Sequence, residues 1–121
     1  MGSEQPYRVW WDEAVGVSRT EWAAGSVCGL AEAQGATAAA EALGRGSVPV
    51  LVDMRRMSKI DRQAREHFTK SPGVTAVALL VGSAVSKMIA NFIIGMQRMP
   101  IPIRMFTDES EALAWLDAQR D

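Results

Sequence analysis

The sequence predicts one α/β domain with a mostly parallel central sheet, an N-terminal β-hairpin and helices covering the sheet. Three observations point there. The run VPVLVDMRRMSKIDRQAREHF, Val48 to Phe68, passes from a continuous apolar stretch through a charged loop into an amphipathic segment. The same strand-then-helix pattern recurs at 74–96 and again at 103–116, and repeated strand-helix-strand units require right-handed crossovers and parallel pairing. Ahead of these lie two aromatic and β-branched stretches about a short turn.

The elements follow in order. Tyr7–Trp11 and Val15–Trp22 form the hairpin, with Trp10, Trp11 and Trp22 alternating faces, so that one of the adjacent pair should point away from the covered side and offer a contact surface. Leu30–Leu43 is rich in Ala and Glu and ends in Gly44-Arg45-Gly46, a helix stopped by glycine, with Gly35 weakening its middle. Val48–Asp53 is a strand buried on both faces. Ser58, three residues before Asp61 and just ahead of Ile60, Ala64 and Phe68, predicts a capped amphipathic helix. Val74–Val81 is the next buried strand, and Ser83 caps a helix to Gln97 with Val85, Met88, Ile89, Phe92, Ile93 and Met96 as its apolar positions and Ala90 and Ile94 outside that stripe. Pro100 and Pro102 end it, Ile103–Thr107 is the last strand, and Asp108 caps a final helix carrying Leu113, Trp115 and Leu116.

Length and composition set limits. The 121 residues fit one domain, 1–121, able to bury a core without disulfides or metal, with the polar start 1–6 expected to be disordered. Thirteen basic against 14 acidic residues give a net charge of -1, which removes the basic field of a nucleic-acid binder. Cys28 stands alone and is expected to be a small buried apolar residue. The N-terminus has no charged and apolar signal pattern, so a cytoplasmic location is expected. Residues 74–96 pass a crude hydropathy window, but Gly82, Ser83, Lys87 and Asn91 favour a core strand and helix over a membrane span.

Element order and letters together resemble a SpoIIAA-like member of the STAS and Sec14-like superfamily. The specific part is VPVLVDMRRMSKIDRQAREHF with AVALLVGSAVSKMIANFIIGM and PIRMFTDESEALAWL, which is similar to an actinobacterial-type STAS-like group of unassigned function. The resemblance implies a regulatory or protein-interaction module. STAS switches carry a phosphorylatable serine directly after an aspartate at the corresponding helix start. Here the letters are Ile60, Asp61, Arg62, Gln63 and Ala64, so Arg62 holds the serine position, and a guanidinium forms no stable phosphoester.

Asp53, Arg55, Arg56, Ser58, Asp61 and Arg62, with Lys59 and Arg65, form the one dense polar cluster attached to a buried strand, and Ser83 and Asp108 should share its sheet edge. Two readings compete. Arginines and helix N–H groups could converge on a phosphate, a carboxylate or a protein partner, or the aspartates could pair with those arginines and cap helices. Met88, Phe92, Ile94 and Met96, with Ile93 and Met99, are more apolar than one buried face needs. They could be plain core, a homodimer surface or the lining of an apolar, lipid-like ligand pocket. His67 is alone, without ligand partners, and is assigned to a solvated helix face; neither serine-elbow nor phosphate-loop motifs occur.

The resulting expectation is a non-enzymatic module without metal or cofactor, a homodimer with a possible protein partner. A binder of a small apolar or lipid-like ligand ranks second, recognisable by an apolar cavity beneath Met88 and Phe92. Weak acid-base chemistry at Asp53 or Asp61 ranks third.

Overall fold

A computed structural model describes residues 5–68, 74–96 and 101–119. Strands β1 (Tyr7–Asp12) and β2 (Val17–Trp22) form the hairpin, in register from Tyr7 opposite Trp22 to Asp12 opposite Val17. Its turn closes with Gly16 at φ 67°, a backbone region that glycine enters without penalty. The Pro6 carbonyl accepts from Ala23 N at 2.9 Å; of the polar start 1–6, residues 1–4 lie outside the described residues.

Next come β3 (Val27–Cys28), α1 (Leu30–Glu41), β4 (Val48–Asp53), β5 (Lys59–Ile60) and α2 (Arg62–Phe68), then β6 (Val74–Leu80), α3 (Ala84–Met96), β7 (Ile103–Phe106) and α4 (Glu109–Ala118). The main sheet runs β1-β2-β4-β6-β7, antiparallel only within the hairpin, and β3 pairs with β5 as a separate two-stranded parallel ladder. The mixed α/β architecture with a mostly parallel sheet is therefore as expected, with this small ladder added. No described helix is long and apolar enough to cross a membrane.

Period-two alternation assigns the two faces of the sheet. Val17, Leu51, Ala76, Ala78, Leu80 and Phe106 pack with Ala112 and Leu116 of α4. Residues of opposite parity, including Val52, Val77 and Leu79, face α1, α2 and α3. Gly35 has a packing reason: a Cβ there would collide with the Tyr7 hydroxyl, so glycine admits the ring against α1. That helix stops at Ala42, and the glycine expected to stop it acts two residues later, with Gly44 at φ 70°.

Three local expectations are corrected. Ser58 does not cap α2, because the β3–β5 ladder takes up 59–60; its hydroxyl instead donates to the carbonyls of Gly25 (3.1 Å) and Ser26 (3.0 Å). Asp61 is the cap, its Oδ1 accepting from Ala64 N at 2.9 Å. On α3 the inward side is Ser86, Ile89, Ala90 and Ile93, whereas Val85, Met88 and Phe92 are exposed, so of the expected stripe Ile89 and Ile93 belong to the core, Val85, Met88 and Phe92 do not, and Ala90, expected outside it, is buried. Ser86 sets this phase: its buried hydroxyl accepts from Gly82 N (3.0 Å) and Ser83 N (2.9 Å), tying that side of the first turn to the sheet. Finally, neither hairpin tryptophan offers a bare surface. Both are partly buried, Trp10 beneath the Arg8 guanidinium at 4.6 Å and Trp11 beneath Arg45 at 4.8 Å.

Candidate functional site

The carboxyl ends of β4, β6 and β7 meet as the topology requires. Met54 N donates to Leu80 O at 3.0 Å and Val81 N to Phe106 O at 2.8 Å, and a Cβ on Gly82 would lie 3.3 Å from the Arg55 side chain. Asp53, Arg55 and Ser83 are thus brought to one edge. Their polar atoms are engaged with each other and with the backbone. Asp53 holds Arg55 through Oδ1 to Nε (3.0 Å) and Oδ2 to Nη2 (2.7 Å), a two-point ion pair that keeps the guanidinium protonated beyond its usual range. Ser83 Oγ accepts from Ser86 N at 3.0 Å and caps α3.

The rest of the polar cluster lies by the β3–β5 ladder. Ser58 and Asp61 are engaged as above, Arg62 Nε meets Glu66 at 3.3 Å, and Arg56, exposed, accepts from Gly25 N through its carbonyl at 2.9 Å. Asp108 caps α4, accepting from Ser110 N (2.8 Å) and Glu111 N (3.2 Å); with the Ser110 hydroxyl as the largest contributor, these bonds hold its carboxyl below the usual range. A small recess of about 190 Å³ at this edge holds Arg8, Arg19 and Arg55 with Asp53 and Glu109, and Arg19 already meets Glu109 at 2.6 Å.

Two residues singled out from sequence differ in setting. His67 is not on a solvated face, since its Nε2 lies 2.9 Å from Thr37 Oγ1 and joins α2 to α1. Cys28 is buried as expected, and desolvation first, then Glu32 and Asp61, pushes its thiol up to about 12. Among the described residues no group of three His, Cys, Asp or Glu side chains could hold a metal ion.

Between the sheet and its three-helix cover lies a space that the sequence reading set elsewhere, beneath Met88 and Phe92. A cavity of about 460 Å³ separates the sheet from the helices, within the range of small-molecule sites. Its floor is Val50 and Val52 of β4, Val77 and Leu79 of β6, with Trp22 and Ile103 beside them. Its roof is Ala36, Thr37 and Ala40 of α1, Phe68 of α2 and Ile93 of α3. Exposed residues Glu41, Arg45, Gly46 and Ser47 form a rim. Short side chains cause it: α1 presents alanines over valines, leaving unfilled the depth that Leu or Phe would occupy. The alanine-rich stretch 36–40, interrupted by Thr37, was the available signal, since alanine favours helix but fills little volume.

Met88 and Phe92, expected above such a cavity, do not line it. They lie outside at 60% and 52% exposure, with the Arg65 guanidinium 4.5 Å over the Phe92 ring. Ile94 is partly buried against the core. The side chain of Met96, and Met99 altogether, lie outside the described residues.

This arrangement is a SpoIIAA-like α/β fold. A crystal structure of an uncharacterised protein of the DUF3478 family from Shewanella loihica PV-4, with a SpoIIAA-like fold, superposes with a TM-score of 0.62 at 16% identity over 96% of this chain and 98% of that one. The chain itself belongs to the family described as a domain of unknown function, DUF7793, whose pattern matches residues 11–120. A protein of unknown function from Arthrobacter sp. FB24 is 32% identical over 98% of this chain and 97% of that one, with a TM-score of 0.37. A search of the curated proteins found no match.

Proposed function

We propose that this chain is a non-enzymatic STAS-like regulatory module, of the actinobacterial-type group its sequence resembles, that takes up a small apolar molecule between its sheet and α1. One observation carries the reading: an apolar cavity of about 460 Å³ in a domain of this size, where interiors are otherwise close-packed. It reverses the order in which the sequence ranked ligand uptake and protein interaction. The carboxyl-edge cluster lends support by default, because its carboxylates cap helices or pair with arginine and leave no poised acid or base. Arg62, exposed at the first turn of α2 where a serine switch would stand, favours control by occupancy over control by phosphate.

Thermal melts with decanol test this. A ligand binding only the folded state at 100 times its Kd adds about 2.7 kcal/mol, so the melting temperature should climb with decanol concentration. Ala40→Phe fills the cavity and should abolish the climb while preserving the fold. No shift, or the same shift in Ala40→Phe, contradicts the reading.

A second reading is favoured by the exposed Val85, Met88 and Phe92, which would suit a two-fold symmetric homodimer. Light scattering at micromolar concentration should then give twice the chain mass, reduced to one by Phe92→Glu. A monomeric wild type removes this reading.

A further inference from the structure

We infer that the cavity takes a single apolar chain ending in a carboxylate, with the head at the hairpin end of the cavity beside Ser18 and Arg45. The inference rests on the ligand reading above and adds the head group. Ser18 lines the cavity, is 2% exposed, and its hydroxyl has no hydrogen-bond partner. A buried hydroxyl left unpaired is costly, and few are found in folded proteins without a reason. Trp11 stands directly opposite Ser18 in the β1–β2 ladder, and its indole N–H, a donor only, is likewise buried without an acceptor. Arg45 lines the cavity, lies 4.8 Å over the Trp11 ring, and reaches Glu13 only at 3.4 Å through side chains that are both well exposed. The Ser18 hydroxyl on the wall and the Trp11 indole beside it in the ladder therefore lack an acceptor, and the Arg45 guanidinium, held only by its exposed contact to Glu13, stands over the Trp11 ring at the same end of an otherwise apolar space.

A carboxylate meets that need. Arg45 can offer it a charge-assisted bond, and the Ser18 hydroxyl a second. The remaining polar lining is Thr20, buried two residues along β2 from Ser18, together with Thr37 and the exposed Glu41 and Ser47. Thr37 Oγ1 already donates to Ala33 O at 3.0 Å and faces His67, and Glu41 sits exposed on the rim. Glu41 opposes an anion from outside, so the sign of the preferred head is a direct readout of whether the Ser18–Arg45 end or the Glu41 rim governs.

Titration calorimetry with octanoate, decanoate, dodecanoate, decanol and decyltrimethylammonium reads this out. Affinity should rise roughly fourfold per methylene along the acids until the cavity is full, from the transfer free energy of each buried CH₂. Decanoate should bind at least about tenfold tighter than decanol, as expected for a bond to a charged group, and decyltrimethylammonium should be weakest. Arg45→Gln should cost decanoate about tenfold and Ser18→Ala about threefold to tenfold, with decanol affinity unchanged in both; decanol binding itself shows that each variant is folded. Decanol equal to decanoate, a preference for the ammonium, or unaltered decanoate binding in both variants would overturn the head assignment and leave the cavity reading standing. Failure of every chain to bind would remove both.

Discussion

The two faces of the sheet are covered differently, and the more heavily covered one is the less well filled. One helix, α4, closes its face. There Ala76, Ala78, Leu51, Leu80 and Phe106 from the strands and Ala112 and Leu116 from the helix form one buried cluster in which short and long residues are mixed within both layers. Three helices cover the other face, yet valines on β4 and β6 look up at alanines on α1, and about 460 Å³ stays open. Burial from solvent and dense packing are separate properties, and a fold can hold one without the other.

Neighbouring leucines on β6 give the strongest way to break this comparison. Leu80 is fully buried against the α4 side and Leu79, nearly as buried, borders the cavity. Leu80→Ala should cost about 2–5 kcal/mol by denaturant melts, whereas Leu79→Ala, enlarging a space already present, should cost about 2 kcal/mol or less. Equal losses would mean that the two faces are packed alike.

Two buried serines sharpen it with opposite signs. Ser86, at 0% exposure, accepts two backbone N–H groups, and Ser86→Ala would strand them at about 1–3 kcal/mol. Ser18, on the cavity wall, bonds nothing, so Ser18→Ala should leave stability unchanged or raise it by up to about 1 kcal/mol. A clear loss from Ser18→Ala would show that the hydroxyl is satisfied.

Cys28 offers the mildest test. It packs on the three-helix side without lining the cavity. Its thiol is raised from 9.0 to about 12 in the folded state. Folding therefore favours the neutral thiol, a contribution complete below pH 9 and lost as pH rises from 9 to 12. Stability should decline over that window and less so in Cys28→Ser. Native protein should also react with Ellman's reagent at pH 8 no faster than it unfolds; rapid labelling would mean that the cavity reaches the thiol.

Where periodicity and local chemistry agreed, the sequence was legible. The alternation over Val48–Asp53 places the central strand, and Ser83 and Asp108 stand at their helix starts because a short polar side chain before an apolar run has few other uses. Ser58 misled because a distant partner, the backbone of 25–26, took its hydroxyl. The phase of α3 was illegible for a different reason. Val85, Met88, Ile89, Phe92 and Ile93 do fall on one stripe, but the buried arc is turned from it toward Ser86 and Ala90, and the deciding contact is a serine. Among the candidate site residues, types were readable but engagement was not: Asp53 with Arg55 is a pairing that only coordinates distinguish from two groups awaiting an anion. The cavity lay furthest out of reach, since an alanine-rich helix reads the same whether it covers a packed layer or an empty one.

Methyl NMR during a decanol titration tests the central claim most directly, because the two faces carry separate methyl groups on the same strands. The account predicts saturable shifts at Val50, Val52, Val77, Leu79, Ile93 and Ile103, with Leu51, Leu80 and Leu116 unmoved. Shifts spread equally over both sets, confined to Val85 and Met88, or absent altogether would contradict it.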